Sequence, residues 1–177
     1  MTVTPQSIPD LLLITPRIFT DNRGYFKETW QASAMPNLGI PPFVQDNESC
    51  SRRHVLRGLH YQISPHAQGK LVRVVCGAVW DVAVDIRPDS TTYGQWSAVT
   101  LTAENHQMLW IPPGFAHGFV TLTDNTIFVY KCTAPYNPSA ERGICWNDPT
   151  LKIDWPVTAP VVSAKDTALP PLSPINA

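Results

Sequence analysis

The sequence predicts an all-β protein, a sandwich or barrel of short strands, and three observations carry that expectation. Runs rich in β-branched and aromatic residues recur at turn-bounded intervals through the middle of the chain. The 18 prolines among 177 residues, about twice the usual share, gather in the first and last quarters and leave long proline-free runs between them. Helical candidates are few: Gln31–Asn37 and Ala103–His106 can form a turn or two, and Ser163–Ala168 a short helix with Ser163 as its N-cap. Because proline breaks helix interiors and central strands alike, the chain reads as one domain over 1–177. It has an N-terminal arm to about residue 42, a β core over 43–134 and a C-terminal arm over 135–177.

The elements follow in order. In Leu56–Gln62, alternation sets Arg57, Leu59 and Tyr61 on one face and Leu56, Gly58, His60 and Gln62 on the other. Leu71–Val75 and Ala78–Ile86 come next, separated by Gly77. In the second of these Asp81, Asp85 and Arg87 alternate against Val82, Val84 and Ile86, the pattern of a half-buried strand. Trp96–Leu101, Gln107–Ile111, Gly118–Leu122 and Thr126–Cys132 repeat the theme, with Thr123-Asp124-Asn125 as a tight hairpin between the last two.

Composition removes several function classes. Thirteen Lys and Arg against 14 Asp and Glu leave a net charge of −1, which argues against nucleic-acid binding through a broad basic surface. The longest apolar run near the start, Leu11–Ile14, is too short for a signal-peptide core or a membrane span. The four cysteines, Cys50, Cys76, Cys132 and Cys145, have no paired spacing and read as buried free thiols of a reducing compartment. The glycosylation pattern Asn47-Glu48-Ser49 is then incidental, and a cytoplasmic protein is expected.

Two clusters carry candidate chemistry. The first is Arg57-Gly58-Leu59-His60-Tyr61-Gln62 with Gln68-Gly69-Lys70, where His60 and Lys70, on successive strands, can face each other across a pocket. A strand histidine alone is usually a hydrogen-bonded core residue, and a strand lysine is usually solvated. Together with Arg57, in a chain only 15% charged, they point to a site. The second cluster, Pro112-Pro113-Gly114-Phe115-Ala116-His117, resembles the second half of the cupin signature, in which a turn presents a histidine at the barrel mouth. A metal-binding cupin would need His-x-His and a glutamate in its first half, whereas this chain has His60-Tyr61-Gln62. No metal and no cofactor are expected, and His54, His66 and His106 are read as structural or exposed.

With Asp21-Asn22-Arg23-Gly24-Tyr25-Phe26, Gln45-Asp46-Asn47, Asp81 to Arg87, Tyr130-Lys131-Cys132-Thr133 and Ser163-Ala164-Lys165-Asp166 added in order, the chain resembles the dTDP-4-dehydrorhamnose 3,5-epimerases. These are metal-independent cupins, and the resemblance runs from about Pro16 to Asp166. It implies a cupin-type jelly roll with a few short helices in the arms, and an isomerase acting at C3 and C5 of a dTDP-4-keto-6-deoxyhexose in dTDP-rhamnose biosynthesis. It also implies His60 as base, with Asp166 fixing its tautomer, Lys70 as enolate stabiliser and Tyr130 as proton donor on the opposite face. Arg57 and Lys165 would meet the diphosphate, Tyr136 would stack on the thymine and His117 would lie near the sugar. Arg23, Glu28, Gln45, Asn47 and Glu141 would contact the nucleotide. In the family the N-terminal strand crosses to a partner, so a homodimer in which Arg23 and Glu28 serve the neighbour's site is implied. The alternatives are a relative that epimerises C3 or C5 alone, a ketoisomerase cousin that fits the Tyr130 and Asp166 pattern less well, and a non-catalytic nucleotide-sugar-binding cupin.

Overall fold

A computed structural model of the protein describes residues 1–172. The end of the C-terminal arm, 173–177 with Pro174, lies outside the described residues.

The N-terminal arm is more ordered than its prolines imply. It forms β1 (Thr2–Pro5), β2 (Leu12–Thr15) and a separate hairpin of β3 (Ile18–Asp21) and β4 (Gly24–Lys27), and the Gln31–Asn37 region supplies a 3₁₀ turn at Met35–Leu38. The core holds β5 (Gln45–Ser51), β6 (Val55–Gln62), β7 (Lys70–Cys76), β8 (Ala78–Asp85), β9 (Trp96–Thr102), β10 (Met108–Ile111), β11 (Phe115–Thr121) and β12 (Thr126–Cys132). The C-terminal arm adds β13 (Glu141–Gly143), β14 (Val161–Val162) and α1 (Ala164–Thr167). As expected, the Ser163 hydroxyl caps α1 by accepting from the Asp166 N–H. Residues 103–105 form a turn but no helix.

Two antiparallel sheets pack face to face, which is the jelly-roll arrangement. One has the order β1-β2-β10-β7-β12-β5. The other runs β13-β6-β11-β8-β9, with β14 added parallel to β6. Val72, Val74, Leu109, Phe119 and Phe128 fill the space between them. Each sheet is also covered outside. Residues 34–43 place Met35 and Ile40 on Leu71, Met108 and Trp110, and the C-terminal arm places Ile144, Leu151 and Trp155 over Leu59, Val82 and Val84. No helix among the described residues is long and apolar enough to cross a membrane.

The structure corrects three expectations, the first of them through this double covering. The alternation in β8 is real, but Asp81 and Asp85 turn inward and are fully buried, while Val82 and Val84 lie under the C-terminal arm. Buried carboxylates require partners. Asp85 has Arg87, Ser90 and Thr92, and Asp81 has His117. Second, the turn at Pro112-Pro113-Gly114 is shorter than expected: Phe115 already pairs with Asp85, so His117 sits within β11 rather than on a loop at the barrel mouth. Third, Cys50 and Cys76 are exposed rather than buried, although all four thiols are free.

Candidate active site

The site forms where β6 of one sheet faces β7 and β12 of the other. Strict alternation would turn Arg57 away from His60. Instead, the β6–β11 ladder pairs His117 with His60 but Phe119 with Arg57, so two β6 residues, Gly58 and Leu59, oppose the single Gly118. This bulge corrects the expected facing: Leu59 and Tyr61 stay in the outer layer, while Arg57 and His60 both line a cavity of about 530 Å³. The bulge depends on glycine, because Gly58 has φ +121° and a Cβ there would lie 2.5 Å from the Gly118 Cα.

The same irregularity fixes His60. On its free side β6 pairs with β14 at residues 55–56 and with β13 at residues 60–62. The Asp166 carboxylate from α1 occupies the position between them. One oxygen accepts from the Gly58 N–H at 3.2 Å, and the other lies 2.7 Å from His60 Nε2. Burial alone would raise the Asp166 pKa, but the bonds from His60 and the Gly58 N–H hold it below the usual carboxylate range. An ionised carboxylate on Nε2 orients the ring and favours a proton on that nitrogen.

Lys70 and Tyr130 come from the opposite wall. On that sheet Lys70, Cys132 and Gln45 share one register row, and Val72, Tyr130 and Asn47 the next. Burial lowers the Lys70 pKa and raises that of Tyr130. Cys132, Asp81 and Glu141 oppose the first shift. Arg57 reaches across the cavity to β5, its Nε and Nη2 donating to Ser51 Oγ at 3.2 and 3.0 Å.

A second cavity, of about 250 Å³, shares His60, Lys70 and Tyr130 with the first and adds Gln45, Asn47, Tyr136 and Glu141. The Glu141 carboxylate accepts from Tyr136 Oη at 2.7 Å and from Lys165 Nζ at 2.6 Å. Gln45 accepts from the Tyr136 N–H and donates to Asn47. The two cavities adjoin at these shared residues and together make the cleft: Arg57, Lys165 and His117 line its larger chamber, Tyr136 and Glu141 its smaller end, and a carboxylate-held imidazole on one wall faces an amine and a phenol on the other.

Over residues 5–174 the chain matches the family described as dTDP-4-dehydrorhamnose 3,5-epimerase. The chain belongs to that family. It is 54% identical over 169 residues to the 3,5-epimerase of Pseudomonas aeruginosa, covering 94% of this chain and 93% of that protein. With the Escherichia coli enzyme it shares 52% identity over 172 residues, 96% and 93% of the two chains. Its fold superimposes with a TM-score of 0.93 on the epimerase of Legionella pneumophila, solved in complex with dTDP-4-keto-L-rhamnose, at 49% identity over 97% and 92% of the chains. A 3′-monoepimerase from Streptomyces bikiniensis, in complex with dTDP-quinovose, superimposes with a TM-score of 0.90 at 34% identity, over 95% and 86%.

Of the residues that resemblance to these epimerases implies, eleven lie in the cleft: His60, Lys70, Tyr130, Asp166, Arg57, His117, Lys165, Gln45, Asn47, Tyr136 and Glu141. Arg23 and Glu28 do not join them within one chain. Arg23 tips the β3–β4 hairpin, 85% exposed and paired with Asp21, and Glu28 follows the hairpin on the surface. Two further residues, not among the thirteen site residues that the resemblance implies, hold side chains of the cleft. Ser51 holds Arg57, and Asp81 holds His117. The signal for Asp81 was available, since a carboxylate centred in a valine-rich strand requires a buried partner whenever that face turns inward.

Proposed function

We propose that this chain converts dTDP-4-dehydro-6-deoxy-D-glucose to dTDP-4-dehydro-L-rhamnose by inverting C3 and C5. The observation that carries this is the division of the chamber: the His60–Asp166 pair stands on one sheet, with Tyr130 and Lys70 on the sheet facing it. Inversion next to a ketone requires a proton to leave one face of the carbon and another to arrive at the opposite face.

At each carbon His60 removes the proton through Nδ1, the nitrogen not engaged by Asp166. The electron pair moves into an enolate whose oxygen, the former C4 carbonyl, meets the Lys70 ammonium. Tyr130 delivers a proton from the far wall and the ketone re-forms with no electrons gained or lost; His60 then releases its proton to solvent and Tyr130 regains one from solvent before the second carbon reacts. Arg57 and Lys165 suit a diphosphate, Tyr136 offers a ring for the thymine, and His117 borders the sugar. Gln45, Asn47 and Glu141 complete the nucleotide end.

The exposed hairpin, with Phe19 49%, Tyr25 58% and Phe26 69% accessible, supports a homodimer in which it reaches the neighbour's site with Arg23 and Glu28. Four free thiols support a cytoplasmic location.

The test is turnover of the 4-keto substrate in D₂O, with deuterium located by NMR. Entry at both C3 and C5 is expected. Entry at a single carbon would reassign the chain as a mono-epimerase, and tight binding without exchange would overturn the enzymatic reading altogether.

A further inference from the structure

One buried carboxylate, behind His117 on the chamber wall, has no part in the steps above. Asp81 is fully buried on β8, and its two oxygens lie 3.1 and 3.0 Å from His117 Nε2. The imidazole is held on its face as well, stacked on Phe128 with ring planes 19° apart. Lys70 enters the same chamber from the facing sheet, and among the described residues its amine makes one hydrogen bond, a long one, 3.4 Å to the His60 carbonyl. Burial disfavours the cation at both Lys70 and His117.

The surrounding charges leave little else to hold a proton there. Lys70 is faced by Asp81, Cys132 and Glu141, and His117 by Asp81, Lys70 and His60. Tyr130 and Cys132 are both pushed towards their neutral forms by burial. Glu141 is bonded to Tyr136 and Lys165, and Asp166 to His60. One carboxylate therefore faces two groups able to carry its balancing proton. An amine is intrinsically the stronger base, and burial disfavours the cation at both groups, so the pairing favours the proton on Lys70 over His117.

We propose that Asp81 is a positioning residue for the epimerisation: its carboxylate orients a neutral His117 through Nε2–H and supplies the counter-charge that keeps Lys70 an ammonium. This rests on the reading of Lys70 as the enolate stabiliser.

Asp81→Asn keeps the shape and an acceptor oxygen but removes the charge. It is expected to lower kcat at about pH 8 at least roughly tenfold, with KM changed less than about threefold. The deficit should shrink as pH falls, because the weakened Lys70 regains its proton, so the alkaline limb of the profile moves to lower pH. In a Lys70→Arg background, where the guanidinium stays charged unaided, the limb due to Lys70 is absent and adding Asp81→Asn should not shift the alkaline side of the profile. A loss uniform across pH, or none, would overturn the proposal.

A measurement on the wild-type protein does not depend on the variant folding. ¹⁵N NMR near neutral pH should find Lys70 charged and His117 protonated on Nε2 alone, and a neutral Lys70 or a cationic His117 would overturn the proposal. Wild-type exchange in D₂O separates the two failures. Its absence removes the epimerase reading, whereas exchange with an Asp81-independent pH profile removes this inference alone.

Discussion

At His60 the decisive neighbour is a carboxylate 106 positions away in the chain, 2.7 Å from Nε2. The Asp166 carboxylate also accepts from the Gly58 N–H, so one side chain orients the proposed base and completes the edge of β6. Replacing it by Asn preserves the volume, removes the negative charge and allows an amide N–H to face Nε2, which favours the wrong tautomer. We expect Asp166→Asn to lower kcat by roughly 10²–10⁴-fold, the range for disabling a general base, while dTDP binding changes little. Calorimetric titration with dTDP alongside the kinetic assay checks both parts. A large loss of dTDP affinity would instead make Asp166 a binding residue.

At the scale of elements, the site depends on the crossing of β6 and β11. An ideal ladder would leave Arg57 on the outer layer with Leu59. The extra residue in β6 turns Arg57 inward beside His60, and the crossing closes because neither Gly58 nor Gly118 has a side chain. In Gly58→Ala the new Cβ would lie 2.5 Å from the Gly118 Cα and 2.7 Å from the His117 carbonyl oxygen. These are backbone atoms and cannot swing aside. With φ at +121°, the backbone conformation alone costs about 1–3 kcal/mol, and the clash adds to it. A fall in Tm of roughly 5–12 °C is expected for a chain of this size, together with loss of exchange activity. Thermal denaturation followed by circular dichroism would reveal it, and an unchanged Tm would mean that the bulge can be relieved at little cost.

At the scale of the whole molecule, the β3–β4 hairpin stands apart from both sheets and exposes Phe19, Tyr25 and Phe26. If it completes a partner's site, two inactive variants should complement each other. Arg23→Ala chains retain His60, and His60→Ala chains retain Arg23, so a mixed dimer contains one intact site. Random reassortment makes half of the dimers mixed with one of two sites working, which predicts recovery of about one quarter of wild-type activity. Mixing the purified variants after mild dissociation measures this. No recovery would place Arg23 in its own chain's function or in none.

The chain's own letters determine its all-β class, the positions of β7, β8, β9 and β12 to within a residue or two, and the Ser163 cap that starts α1. These follow from β-branched runs, turn residues and a capping hydroxyl, all of which act within a few residues. The residues that build the cleft were legible as well, though Tyr130 and Asp166 only through family resemblance, since a tyrosine in an aromatic strand and an aspartate in a proline-rich arm announce nothing locally. Tertiary structure alone decided which way the faces turn. Alternation establishes that Asp81 and Asp85 share a face. Once the C-terminal arm has covered its sheet, however, neither face of β8 meets water from Asp81 to Asp85, and burial no longer selects the apolar one. The carboxylates turned inward because His117 and Arg87 were there to receive them. Arg57 likewise joined His60 only through a bulge set by a glycine pair on two strands, and Asp166 reached His60 only because the C-terminal arm folds back along β6.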